Sequence, residues 1–304
     1  MRAEVSANVI GMWIGLFLAQ LGGLAFSKYS SRQLDGRSTD GYAFFMLING
    51  LTACAFFFVS GGFRVTVTVN TLLFAVAYAI IVLMSLIATL KAYQTVEISN
   101  VNVVQNASNL VASSALGCLL FDETIDGAKI LRILLMLAAV VLIFLGTRTR
   151  QPSGDRHSAR PLRFAVIALL LTVAASGSVI VPKFYARASG VADDNSFFFL
   201  TNAVLVIGAL IWLIALRLRG RAKAGLPDSF FNWRLVFFMG NTVCANVVSL
   251  IGIRLIARMD VSLYTPISAA IGIFCGGVAS VLFREKWNVF AVLAVVLAAV
   301  AVMV

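Results

Sequence analysis

Long apolar stretches separated by short polar ones set the pattern of this chain. A helix needs about 20 predominantly apolar residues to cross a hydrocarbon core of about 30 Å, and ten such windows can be marked. They fall near 7–28, 41–60, 69–91, 98–120, 128–146, 163–183, 196–216, 232–254, 262–283 and 287–304. The runs are continuous, whereas a barrel needs strands of about ten residues alternating polar and apolar, so helices are expected rather than barrel strands. The first window is too long, and is followed by too many others, for a removable signal peptide.

The connections are short. The longest, Thr147 to Arg163, reads TRTRQPSGDRHSARPLR and carries Pro152, Pro161 and the only histidine, His157. It predicts a division into residues 1–146, a polar basic connection at 147–162, and residues 163–304. The two halves resemble each other. Lys28-Tyr29 and Arg32 at the end of the first window match Lys183-Phe184 and Arg187 at the end of the sixth. Phe44-Phe45-Met46-Leu47-Ile48-Asn49 matches Phe197-Phe198-Phe199-Leu200-Thr201-Asn202, and Ser85-Leu86-Ile87 matches Ser249-Leu250-Ile251. Leu120-Phe121-Asp122-Glu123 matches Leu282-Phe283-Arg284-Glu285. Four matches in one order, at offsets of 153 to 164, make two five-helix copies. Five is odd, so the second copy enters the membrane from the opposite face, and the expected fold is an all-α integral membrane protein with ten transmembrane helices in two inverted five-helix repeats.

These repeats, the glutamates of LLFDETI and VLFREKW, and Thr265-Pro266 early in the ninth window resemble the drug/metabolite transporter superfamily, specifically its EamA-like ten-span branch. The resemblance covers essentially the whole chain. It implies a transporter scaffold known for carrying very different solutes. The first copy departs from the pattern, with Val104 where the second has Pro266.

Composition agrees with a lipid-embedded chain. Of 304 residues, 61% are hydrophobic and 12% charged, against about 25% charged in a soluble domain. With a mean hydropathy of +0.97, no water-soluble globule could hide so much apolar side chain. The net charge of +11 could indicate nucleic acid, but the basic residues lie between apolar runs rather than along one face, so no nucleic-acid partner is expected. Of the 24 Lys and Arg, 16 fall on the connections after windows one, three, five, seven and nine. The positive-inside rule puts those connections in the cytoplasm and both termini outside, whereas the resemblance implies cytoplasmic termini; the local count is preferred. The expected location is the cell (inner) membrane, multi-pass, as a monomer or homodimer. Cys54, Cys118, Cys244 and Cys275 sit in apolar stretches without CxxC spacing and read as packing residues.

Polar residues inside such windows are costly and mark candidate sites. In the fourth, Ser99, Asn102, Asn106, Asn109 and Ser113 share a stripe about 80° wide, with Gln105 at its edge. The offset of 162 places Tyr264, Ser268, Ile271 and Cys275 on the matching stripe of the ninth. Amides can glue helices together, yet four on one helix point to a hydrated cavity. Tyr78 and Ser85 in the third window, Thr242, Asn246 and Ser249 in the eighth, and Gln20 in the first extend the set. The expected substrate-binding residues are Asn102, Gln105, Asn106, Asn109, Tyr264, Ser268, Tyr78, Asn246 and Gln20.

Carboxylates are scarce. Glu97 and Asp260 stand near the mouths of these helices as coupling candidates, and Glu123 and Glu285 at helix ends as caps or gates. Lys28, Arg32, Lys183 and Arg187 could be gate or anion residues, but are expected to snorkel to the headgroups. Gly11-x-x-x-Gly15 and Gly272-x-x-x-Gly276 fit close helix packing. One histidine in a connection, no HExxH, no GxGxxG and no P-loop exclude the usual enzyme and ATPase chemistries and give no cofactor or metal. The pattern therefore predicts a secondary transporter or facilitator for a small polar or amphipathic metabolite or drug, working by alternating access with a central site between the repeats. The alternative is a non-transporting membrane scaffold or assembly subunit.

Overall fold

The computed structural model describes residues 2–30, 39–95, 110, 113, 115–121, 126–148, 161–218, 234–282 and 289–303. Among these residues every regular element is helical and none is a strand. The helices are α1 (Arg2–Ser30), α2 (Thr39–Ser60) and α3 (Val69–Thr95). The helical residues 110, 113 and 115–121 are labelled α4. There follow α5 (Gly127–Arg148), α6 (Pro161–Arg187), α7 (Asp194–Leu218), α8 (Arg234–Arg258), α9 (Val261–Leu282) and α10 (Val289–Met303). Among the described residues three stretches, Asn8–Phe26, Asp194–Leu218 and Leu235–Arg258, are long and apolar enough to cross a membrane, and Met46–Ser60, Val69–Ser85, Val261–Cys275 and Val292–Ala301 are shorter apolar helices. Their exposed faces are aliphatic: Ile10, Ile14 and Leu18 on α1, and Ile207, Leu210, Ile211 and Ile214 on α7, stand open at helical spacing. Such continuous apolar faces suit lipid rather than water.

The helix ends are set by local chemistry. Asp126 caps α5, its Oδ1 accepting the Lys129 N–H at 2.9 Å, and Thr68 caps α3, its Oγ1 accepting the Thr71 N–H at 3.2 Å. Asp193 caps α7 by accepting from the Ser196 N–H and hydroxyl. Pro161 opens α6, where its missing N–H costs nothing. The α2 terminus is a Schellman turn: the Gly62 N–H bonds the Val59 carbonyl and the Phe63 N–H that of Phe58. Gly62 has a φ of 66°, and the Phe58 and Phe63 rings meet edge to face at 5.4 Å.

The chain forms two compact units that do not follow its sequence halves. One comprises Met1–Ile80 with Arg187–Arg254, the other Ile81–Ala186 with Leu255–Val304.

In the first unit α2 packs on α7 in antiparallel register, with Cys54 Sγ directed at the Phe199 carbonyl, Phe57 stacked on Phe198 at 5.0 Å and Ser60 bonded to Asn195. The helices approach closely at Gly50, where a Cβ would stand 2.6 Å from Val206 Cγ2. Helices α1 and α8 also run antiparallel: Gly15 faces Ile251, Gly22 faces Cys244 and Phe26 faces Gly240. Gly11 has nothing within 4 Å among the described residues, whereas Gly15, the second glycine of that GxxxG pair, makes a close approach. At one end of the unit the connection after α2 is tied to the connection after α6. Ser60 Oγ donates to Asn195 Oδ1 at 2.9 Å, the Thr66 N–H to Ser196 Oγ at 2.9 Å, Asn70 Nδ2 to the Ser189 carbonyl at 3.1 Å, and the Ala192 N–H to Thr71 Oγ1 at 2.7 Å.

In the second unit α10 lies on α5 and α9, and α5 also touches α9. Leu110, Met136, Ala270 and Ala301 form its buried cluster. Gly177 of α6 accommodates the Ile81 side chain, which a Cβ there would meet at 2.9 Å.

Candidate functional site

Polar side chains lie inside the first unit on several helices. On α8, Thr242 is buried, and its hydroxyl stands 2.8 Å from Asn49 Oδ1 of α2 and 3.1 Å from the Phe238 carbonyl one turn back. Asn246 follows Thr242 by one turn, and its Nδ2 is buried without a hydrogen-bond partner among the described residues. Ser249 donates to the Ala245 carbonyl of its own helix. On α1, Gln20 Oε1 is likewise buried and unpartnered among the described residues. The pairings Gly15 with Ile251, Gly22 with Cys244 and Phe26 with Gly240 set a register in which Gln20 and Asn246 stand at the same height. A buried amide atom without a partner costs about 1–3 kcal/mol, so these two mark where a water or a ligand would be bound.

Tyr78 of α3 contributes differently. Its ring lies 5.5 Å from Phe197 and 6.0 Å from Phe198, within an aromatic cluster that includes Phe57. The Phe198 carbonyl also accepts the Asn202 Nδ2 at 2.8 Å. The offsets read from the sequence carry Asn49 to Asn202 and Tyr78 to Thr242. Asn49 thus meets Thr242 through a hydrogen bond between α2 and α8, and Tyr78 meets Phe197 and Phe198 through aromatic packing between α3 and α7.

In the second unit Tyr264 and Ser268, one turn apart on α9, share a hydrogen bond, and Tyr264 is buried. Pro266 between them removes one backbone bond from the helix, and the Thr265 hydroxyl donates to the Val261 carbonyl at 2.9 Å. Asp260, ahead of α9, accepts the Leu263 and Tyr264 N–H groups through its carbonyl. Its carboxylate receives Lys129 Nζ at 2.7 Å.

Lys183 corrects the expectation of snorkelling. The side chain is buried, with a relative exposure of 3%, and Nζ donates to the Ile256 carbonyl at 2.7 Å and to the Met259 carbonyl. These are orphan carbonyls at the α8 terminus, where a cation also meets the negative end of the helix dipole. The Phe121 ring lies 6.0 Å from the ammonium. Two lysines from different helices therefore hold the α8–α9 turn, Lys183 by its backbone and Lys129 by its carboxylate.

Asn102, Gln105, Asn106, Asn109, Glu97, Glu123 and Glu285 lie outside the described residues. Of the expected site residues, the structure groups Asn246 and Gln20 with Tyr78 in the first unit, and Tyr264, Ser268 and Asp260 in the second. In the sequence Asn49 stands out only as a repeat marker. Its recurrence beside paired phenylalanines in both halves was the signal that it occupies a special position.

No family model and no curated protein matches the chain. It is similar to a protein of known crystal structure at 14% identity, with a TM-score of 0.71 over 97% of this chain and 95% of the other. At that identity the likeness extends to the fold alone.

Proposed function

We propose that this chain is a secondary transporter or facilitator that carries a small polar or amphipathic metabolite or drug across the cell (inner) membrane by alternating access. In this reading the ten windows are spans, arranged as two inverted repeats in the manner of the EamA-like branch of the drug/metabolite transporter superfamily. The observation that carries it is the pair of amide atoms, Gln20 Oε1 and Asn246 Nδ2, that have no hydrogen-bond partner among the described residues and are buried in apolar helices at one height. A scaffold gains nothing from leaving such atoms unpaired, whereas a site that must bind and release a solute requires groups whose partner comes and goes.

The packing supports the repeat. Helix α2 lies on α7, and α5 on α10, which are the pairs that an axis relating residues 1–146 to 163–304 brings together. The amide and hydroxyl character of the set favours an uncharged or zwitterionic solute. Saturable uptake into proteoliposomes, screened with a metabolite library, tests the proposal. Protein that binds no solute and moves none, yet copurifies with a fixed membrane partner, is the result expected of a scaffold.

A further inference from the structure

Four hydrogen bonds join the segment from Ser60 to Thr71, between α2 and α3, to the segment from Ser189 to Ser196, between α6 and α7, tying helix ends as well as the connections between them. They link segments 119 to 135 residues apart. Two of the residues that make them, Thr71 and Ser196, are buried, and each is held in place by a neighbour. Thr68 bonds Thr71 at 2.8 Å, and Asp193 accepts the Ser196 hydroxyl at 2.6 Å.

Two features distinguish this arrangement from ordinary loop packing. Every group that crosses the interlock is a neutral hydroxyl, amide or backbone atom, so the bonds can break in turn without stranding a buried charge. The Lys129–Asp260 pair could not separate in that way. Both arms also start from left-handed turns, Gly62 and Phe63 at φ values of 66° and 62° on one side and Gly190 at 67° on the other. A few loop positions that absorb a backbone change are what a moving segment needs. Below the interlock, Ala75 lies one turn from Thr71 on α3 and is buried.

We propose that this interlock is a gate, shut in this structure, and that breaking its four bonds opens the solute path on that face. The proposal rests on the transport reading above. The connections concerned belong to the side with the fewer basic residues, so the positive-inside rule makes this the outer gate.

The test uses full-length protein in proteoliposomes, with Cys54, Cys118, Cys244 and Cys275 replaced by alanine. In the Ser60→Cys, Asn195→Cys double variant, oxidation with copper phenanthroline should lower solute flux about tenfold, and reduction should restore it, while the single variants are unaffected. Full flux through the cross-linked protein overturns the gate. A second measurement requires no solute. Ala75→Cys, labelled by a membrane-impermeant maleimide, should react about fivefold faster when Thr71→Val and Ser196→Ala release the interlock, and only from the outer side. Unchanged labelling overturns the gate even in a protein that moves nothing, and acceleration from the inner side alone overturns its outer assignment. Absence of any solute flux through the wild-type protein, together with the labelling change in the Ala75→Cys variants, sinks the transport reading and leaves the opening motion standing.

Discussion

The ammonium of Lys183 and the carbonyl of Met259 are hydrogen-bonded across 76 residues of chain, so the end of α6 closes the end of α8. Replacing Lys183 by methionine keeps the stem and removes the donor. It should lower stability by about 2 kcal/mol, since carbonyls left without a partner at a buried helix end carry most of that cost. Thermal unfolding in detergent should show the same deficit at low and high salt, because a buried contact is little screened. A deficit that vanishes in salt would mean the lysine acts from the surface.

Lys129 and Asp260 should behave as a coupled pair. Lys129 is largely buried and Asp260 is 44% exposed on its side chain, so solvent weakens the attraction and the coupling should be about 1 kcal/mol. Asp260→Asn should lower the melting temperature more than Lys129→Met, because it strands a largely buried ammonium, whereas methionine keeps the buried stem and leaves only a half-exposed carboxylate. The double variant should lose less than the two singles together. Solute flux in Asp260→Asn should stay within about twofold of wild type if the carboxylate is structural; loss of pH-dependent uptake would instead make it the coupling group.

Gly50 is the point where α2 and α7 cannot tolerate a methyl. Gly50→Ala sets a Cβ 2.6 Å from Val206 Cγ2, an overlap that should cost about 1–3 kcal/mol. Adding Val206→Ala removes the opposing branch and should restore some of the loss. If the double variant melts no higher than Gly50→Ala, the clash lies with the backbone instead.

Asn246 separates stability from transport. Asn246→Leu removes a buried amide donor that has no partner among the described residues, so the protein should melt at the same or a higher temperature. Flux should nonetheless fall about tenfold, equivalent to roughly 1.4 kcal/mol of lost solute binding in the transition state. A variant with normal flux takes Asn246 out of the site, while one that melts far lower means the amide has a structural partner.

The orientation is open to a direct reporter. A fluorescent protein that folds only in the cytoplasm, fused after Val304, should be dark if the 16 basic residues of the odd-numbered connections lie inside. Bright cells would place both termini in the cytoplasm.

The helices were legible because apolar runs of span length are a strong signal, and the described helices fall on the expected windows, as α2 (Thr39–Ser60) covers 41–60 and α5 (Gly127–Arg148) covers 128–146. That Tyr264 and Ser268 share one face of α9 follows from i,i+4 spacing alone. Lys183 was misread because a long basic side chain at a helix end can reach outward or inward. What decides is a pair of carbonyls 73 and 76 residues further on, which no local pattern reveals. Asn49 and Thr242 are 193 residues apart, and each alone is one polar residue in an apolar run. The amides Asn102, Asn106 and Asn109, the densest polar cluster in the sequence, lie outside the described residues.

The pairing of α2 with α7 also sets a timetable for synthesis. Ser60 leaves the ribosome 135 residues ahead of Asn195, which at about 5–20 residues per second is a wait of roughly 7–27 s. During that interval α2 has neither the face that Gly50 packs against nor the hydroxyl that Asn49 accepts from, so the early chain must hold that face against a provisional neighbour. Slowing translation within α4 to α6 should lengthen that exposure and raise the fraction degraded, whereas slowing it after Arg254 should have little effect on the first unit, whose chain is by then complete.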